Sequence, residues 1–365
     1  MILLILLTQL MANPQDWGVG TLMGALNRSY SFPRGKGGVY DIPSTQTMTG
    51  IMPIYFSKKN HPADLIIILP GVFGSAESRI NTTNLEVVEK FDVHVLSVPN
   101  FFAEKYIKQK PLYSKDPVAL DLKIINESID WAIKKIGRQN INKIHLFAES
   151  LGSFMASGLY AVDSQTSKPL INGEILLMWP PLDIKVAVNN FDHIIDFYRA
   201  YASECSFWNL VQISLKDRWH KDLSKHEILC ARSFMLIKGF VSTISRVSKE
   251  FNPLFSDQRN HLKFESFIDA YSPAMNEMLI RHDMRLSLAY WLDQGQKRNP
   301  RPVTIFSGRT DFLNWGLSMD EWLKGRPGEY VYENFSWGGH SGPIGYPDGE
   351  KKIIEWLKKV INKDA

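Results

Sequence analysis

From residue 51 onward, short, mainly apolar runs alternate with longer stretches whose apolar positions recur every three or four residues. The short runs, at 51–56, 65–69, 93–98, 144–147, 175–179, 303–306 and 330–335, have the length of strands. Residues 65–69 (LIIIL) are apolar at every position. A strand needs that only when both faces of its sheet are covered, as in a parallel sheet. Between the runs, Ile125, Ile129, Ile133 and Ile136 keep to one helical face, and Gly137 follows where a helix would end. Ile353, Ile354, Leu357 and Val360 repeat the pattern near the end of the chain. The alternation predicts an α/β fold, a mostly parallel central sheet with helices on both faces.

The strand rhythm stops at residue 183 and resumes only after 297. Inside that gap the spacing is helical throughout: Ile194, Phe197, Tyr201 and Cys205 form one stripe, and Phe240, Ile244, Val247 and Phe251 another. An insertion of helices at one place between two strands predicts a cap. The body would then be residues 13–182 and 298–365, with 183–297 as a helical lid over the sheet edge.

The most informative chemistry lies where the apolar run 144–147 enters Ala148-Glu149-Ser150-Leu151-Gly152 and an apolar helical stretch follows. Small residues two before and two after a serine suit a sharp strand-to-helix turn, in which backbones approach closely and the serine at the apex takes a strained conformation. This segment resembles the nucleophile elbow of the α/β-hydrolase family, Gly-x-Ser-x-Gly, with Ala148 in place of the first glycine. The resemblance implies a sheet with helices on both faces, Ser150 as nucleophile, and the Leu151 amide as one donor to an oxyanion.

Three further places extend the resemblance. The run 65–69 opens into Pro70-Gly71-Val72-Phe73-Gly74, where the family's second oxyanion donor would be the Val72 amide, although the family often has His-Gly where this chain has Pro70-Gly71. The run 303–306 leads into Ser307-Gly308-Arg309-Thr310-Asp311, which puts Asp311 at the family's acid position. Asp183, past the preceding strand, is the alternative. His340 follows the last strand within Ser336-Trp337-Gly338-Gly339-His340-Ser341-Gly342, where glycines let a loop carry an imidazole close to a serine. A lone loop histidine is usually structural, but the chain order Ser, Asp, His is the one this family uses.

The resemblance implies a carboxylesterase- or lipase-like hydrolase acting through an acyl-enzyme, with His340 as general base and Asp311 as its orienting acid. An acyltransferase using the same residues, or a non-catalytic binding protein on the same fold, stands as the alternative. Phe73, Phe312, Trp315 and Trp337 flank the motif positions and are the candidate pocket walls for a small ester or acyl substrate. In the cap, Trp208, Trp219, Trp291, Met235, Met275, Met278 and Met284 either bury the lid on the body or face an acyl chain.

Composition narrows the picture little. The 365 residues carry 42 Lys and Arg against 38 Asp and Glu, a net charge of +4 without a run of five like charges, so no nucleic-acid-binding arm is expected. No metal or cofactor is expected, since the nine histidines and two cysteines lack ligand spacing. Cys205 and Cys230 read equally as one bridge or two buried thiols. Residues 1–12 are too short an apolar run to span a bilayer, and no transmembrane helix is expected. They read as the core of a signal peptide or as an apolar N-terminus, giving a secreted or periplasmic protein in the first case and a cytoplasmic one in the second.

Overall fold

The computed structural model describes residues 16–30, 37–42, 52–74, 84–85, 87–100, 102–103, 116–219, 221–241, 243–245 and 263–361. Residues 1–12, Ile51, Val247 and Phe251 lie outside these. Helix α1 (Trp17–Tyr30) precedes strands β1 (Gly38–Ile42), β2 (Met52–Ser57), β3 (Ala63–Leu69) and β4 (Val93–Ser97). Helix α2 (Pro117–Ile136) leads into β5 (Ile141–Glu149), α3 (Leu151–Asp163) and β6 (Ile175–Met178). Before the next strand the described residues form the α-helices α4 (Ile184–Arg199), α5 (Phe207–Arg218), α6 (Lys225–Ser233), α7 (Phe264–Tyr271), α8 (Pro273–Arg281) and α9 (Leu288–Arg298). The chain closes with β7 (Val303–Gly308), α10 (Met319–Leu323), β8 (Tyr330–Phe335) and α11 (Pro347–Ile361).

The eight strands form one sheet in the order β1-β2-β4-β3-β5-β6-β7-β8. β2 runs antiparallel to both its neighbours, and every pair from β4 to β8 is parallel. The parallel strands therefore all end at one edge, so the loops after β3, β5, β6, β7 and β8 are brought together there.

Strand β3 shows why a continuous apolar run was needed. Leu65, Ile67 and Leu69 point into the core that α2 and α3 cover, while Ile66 and Ile68 point into the core that α1 and α11 cover. Residues 65–68 are completely buried, and each such side chain contributes roughly 1.5–3 kcal/mol of burial free energy. Gly137 ends α2 at φ 89°, its amide donating to the Ile133 carbonyl at 2.8 Å.

Strand β1 and helix α1 had no signal in the apolar pattern. β1 is an edge strand with Val39 and Tyr40 exposed, so it needs no apolar run. In α4 the buried face is Ile184, Val188, Phe191, Ile195 and Tyr198, with Ile194 at its margin. Phe197, expected in that stripe, points outward. The helix gives way to a 3₁₀ turn (Ala200–Ser203), whose period of three breaks the register of a 3.6-residue stripe.

Cys205 and Cys230 form a disulfide that ties the segment before α5 to α6 across 25 residues, worth about 3 kcal/mol by loop closure. A π-helical stretch (Phe234–Val241) continues α6. The resulting helical segment Lys225–Ser245 has the length and apolar composition of a bilayer span, and half of its apolar window is buried inside the protein.

Candidate active site

Ser150 sits between β5 and α3 at φ 53° and ψ −123°, a conformation that costs a non-glycine residue on the order of 1–3 kcal/mol. The surroundings hold it there. Its amide donates to the Met178 carbonyl at 2.8 Å, and the Ser153 hydroxyl lies 3.0 Å from the Ala148 carbonyl and 3.1 Å from that of Met178. A Cβ on Gly152 would stand 2.0 Å from the Leu69 carbonyl oxygen, so α3 can start this close to the end of β3 only with glycine there. Ala148 is wholly buried within the sheet, which explains why the smallest side chain after glycine serves at that place.

Three side chains from three loops meet at the sheet edge. His340 Nε2 lies 2.8 Å from Ser150 Oγ, and His340 Nδ1 lies 3.0 Å from Asp311 Oδ1. A carboxylate accepts hydrogen bonds and does not donate them, so Nδ1 carries the proton and Nε2 is left to accept from the serine hydroxyl. The Asp311 side chain has no solvent exposure. Oδ1 also accepts from the Leu313 amide at 3.1 Å, and Oδ2 from Asn314 Nδ2 at 3.1 Å.

Two asparagines that the sequence did not mark fix this geometry. Asn314 Nδ2 reaches the Pro180 carbonyl at 2.9 Å, and its Oδ1 accepts from the Leu182 amide at 2.9 Å, which locks the acid's turn to the loop after β6. Asn100 Nδ2 donates to the Pro70 and Gly71 carbonyls at 3.1 and 2.7 Å. It thereby sets the turn after β3, where a Cβ on Gly71 would come within 3.1 Å of Ser150 Cβ. Single polar residues with tertiary partners leave no local pattern to read.

Val72 follows that turn. Leu151 is the first residue of α3, where an amide has no carbonyl one turn back to bond to. Both line a cavity of about 480 Å³ that has Ser150 and His340 at its base. Phe73, at φ 60°, and Phe312 also face it. The opposite wall comes from the segment between β6 and β7: Phe191, Met235, Phe240, Phe264, Ile268 and Met275. Ring contacts join the two walls, with Phe73 against Phe240 at 5.3 Å and Phe191 against Phe312 at 6.1 Å, while Phe191 and Phe240 pack together at 4.1 Å within one wall. Glu149 also lines the cavity and accepts from Asn84 Nδ2 at 2.9 Å.

Other expected wall residues lie elsewhere. Trp337 is buried against Phe335 and Tyr346 on the opposite face of the sheet. Trp315 is partly exposed beside a separate, polar depression behind Asp311. Between β6 and β7, Trp208, Trp219 and Met284 are exposed. Trp291 is buried with Nε1 donating to the Arg285 carbonyl, and Met278 is buried in the core. Asp183 caps α4 through the Val186 amide and faces His282 at 3.1 Å, away from His340.

Where α5 meets the body, burial pushes the Asp217 carboxyl up to about 7, although the Tyr346 hydroxyl donates to it at 3.3 Å. Among the described residues no cluster of His, Cys, Asp or Glu is arranged to hold a metal ion.

No protein-family model and no curated protein matches this sequence. Among solved structures, the chain is similar to an esterase of the fungus Rhizomucor miehei, at 13% identity and a TM-score of 0.51, over 94% of this chain and 90% of that one. It is also similar to the acylaminoacyl peptidase of Pyrococcus horikoshii, at 12% identity and a TM-score of 0.50, over 90% of this chain. The chain spans 42% of the length of that peptidase. The likeness is one of fold: this protein has the α/β-hydrolase fold.

Proposed function

We propose that the protein is a serine hydrolase that cleaves carboxylic esters with an apolar acyl or alcohol part. The observation that carries the reading is the hydrogen-bonded chain from Ser150 Oγ through the His340 imidazole to Asp311 at the base of an apolar cavity. Ser150 Oγ would attack the ester carbonyl as its proton passes to His340 Nε2, and Asp311 would stabilise the imidazolium. The Val72 and Leu151 amides would receive the developing oxyanion, each worth on the order of 3 kcal/mol. Collapse breaks the C–O bond, and the leaving alkoxide takes the proton from Nε2. Water, deprotonated by the same nitrogen, then hydrolyses the acyl-enzyme and restores Ser150.

The activities of the similar proteins, an esterase and a peptidase, agree with acyl transfer to water but do not choose the substrate. The cavity supports an ester, because its walls are mostly hydrocarbon and offer a peptide chain few hydrogen-bond partners. The Cys205–Cys230 bridge supports residence in an oxidising compartment, in line with reading residues 1–12 as a signal peptide. The test is covalent labelling by a fluorophosphonate, together with hydrolysis of p-nitrophenyl esters of increasing chain length. Wild type should label and turn over, and Ser150→Ala should do neither. Equal labelling of the two proteins would refute the assignment.

A further inference from the structure

The loop that carries His340 is irregular. Gly338, Gly339 and Ser341 all have positive φ, at 90°, 65° and 57°, so three of the four residues from 338 to 341 lie outside the common backbone regions. Such a segment does not hold an imidazole in register by its own conformational preference. Its two central amides are held from outside, each by a threonine hydroxyl. The Gly339 amide donates to Thr310 Oγ1 at 3.0 Å, from the turn that carries Asp311. The His340 amide donates to Thr21 Oγ1 at 3.0 Å, from the middle of α1.

The contact between α1 and the loop is backbone against backbone. A Cβ on Gly20 would lie 2.3 Å from Gly338 Cα, and one on Gly342 would lie 2.5 Å from the Gly20 carbonyl oxygen. Two glycines on opposite sides thus let the helix come close enough for the Thr21 hydroxyl to reach the loop. The helix is itself anchored. Asp16 caps it by accepting from the Gly18 and Val19 amides at 2.9 and 3.1 Å, and pairs with Arg232 on α6, two residues beyond the disulfide-bonded Cys230.

We infer that Thr21 is a positioning residue for His340, and that α1 is thereby part of the site. This rests on the reading of His340 as the general base. Removing the hydroxyl leaves the His340 amide without this acceptor, and the loop relaxes away from Ser150. A displacement near 1 Å at the reacting atoms costs about 100-fold in rate.

The experiment compares Thr21→Val, which keeps the shape, with Thr21→Ser, which keeps the hydroxyl, in the full-length protein. In Thr21→Val, kcat for p-nitrophenyl acetate should fall about 10- to 100-fold with KM within about threefold, and Thr21→Ser should recover most of the loss. The low-field Nδ1 proton resonance of His340 should broaden or disappear in Thr21→Val and persist in Thr21→Ser, with thermal unfolding of both near that of wild type. An unchanged resonance and kcat in Thr21→Val would overturn the inference. So would a loss confined to KM, which marks a cavity-wall role, or equal damage in both variants. If Thr21→Val does not fold, Thr21→Ala takes its place under the same criteria. The resonance is read without turnover: a wild type that shows the proton response but hydrolyses no ester would count against the ester-hydrolase reading and leave the role of Thr21 standing.

Discussion

On the sheet side of the cavity, Ser150, Asp311 and His340 are each fixed by hydrogen bonds to backbone or side-chain partners, and Ser150 is held besides in a positive-φ conformation. On the helical side, Phe191, Phe240 and Phe264 are held by ring contacts of 4.1–5.8 Å, and Met235 and Met275 fill the gaps with flexible thioethers. A hydrogen-bonded site has one working arrangement, and an exchange of one atom can lose it. A packed apolar wall has many near-equivalent arrangements and responds in proportion to the volume removed. On the function proposed above, the first kind of surface suits a bond-breaking step that is the same for every ester. The second suits the choice among esters.

The sharpest test of that contrast is an exchange of one oxygen for nitrogen. Asp311→Asn leaves the volume unchanged but places an amide where His340 Nδ1 needs an acceptor. Turnover should fall about 10³- to 10⁴-fold with the fold intact. Asp183→Asn, also beside a histidine but away from Ser150, should change turnover less than about threefold. If the two variants exchanged effects, Asp183 would be the acid.

A smaller, graded effect is expected on the helical side. Phe240→Ala removes a ring from the wall and should lower kcat/KM for hexanoate or octanoate esters about tenfold, while acetate stays within about threefold. A uniform loss across chain lengths would show that this wall supports the machinery and does not select the substrate.

The smallest effect lies at the seam between the two regions. The Asp217 carboxyl titrates ordinarily at 3.8 and in the folded protein at about 7. Between those values the folded protein holds a proton that the unfolded chain has released, so stability falls as pH rises through that window and levels off above about 7. Asp217→Asn removes the cost of the buried charge. It should raise the Tm at pH 8 by roughly 3 °C or more relative to its effect at pH 5, read by calorimetry at both. An equal shift at both pH values would mean that Asp217 is not the titrating group.

The same division decides what could be read from the sequence. The sheet-side motifs were legible because parallel strands are continuous apolar runs and because the turn at Ser150 requires Gly152 by direct steric exclusion. The order of Ser150, Asp311 and His340 along the chain then followed the loops at the strand ends. Asn100, Asn314 and Thr21 were not legible, since each acts on a partner distant in sequence. Between β6 and β7, spacing showed helices but not which face is covered. Trp208 is 71% exposed although it looked like wall or core, whereas Met235 and Met275 do reach the cavity. Trp337 was misplaced because it leaves the strand end on the face opposite Ser150.

The hydrogen bond between residues 21 and 340 spans 319 positions. Contacts of such separation carry a large loop-closure cost and form late. During synthesis Ser150 leaves the ribosome 190 residues before His340, and the two segments carrying Thr21 and His340 must then still be brought together. On the reading of Ser150 as nucleophile, it would stay unactivated until that contact forms, and its reactivity would report that residues 21 and 340 have met.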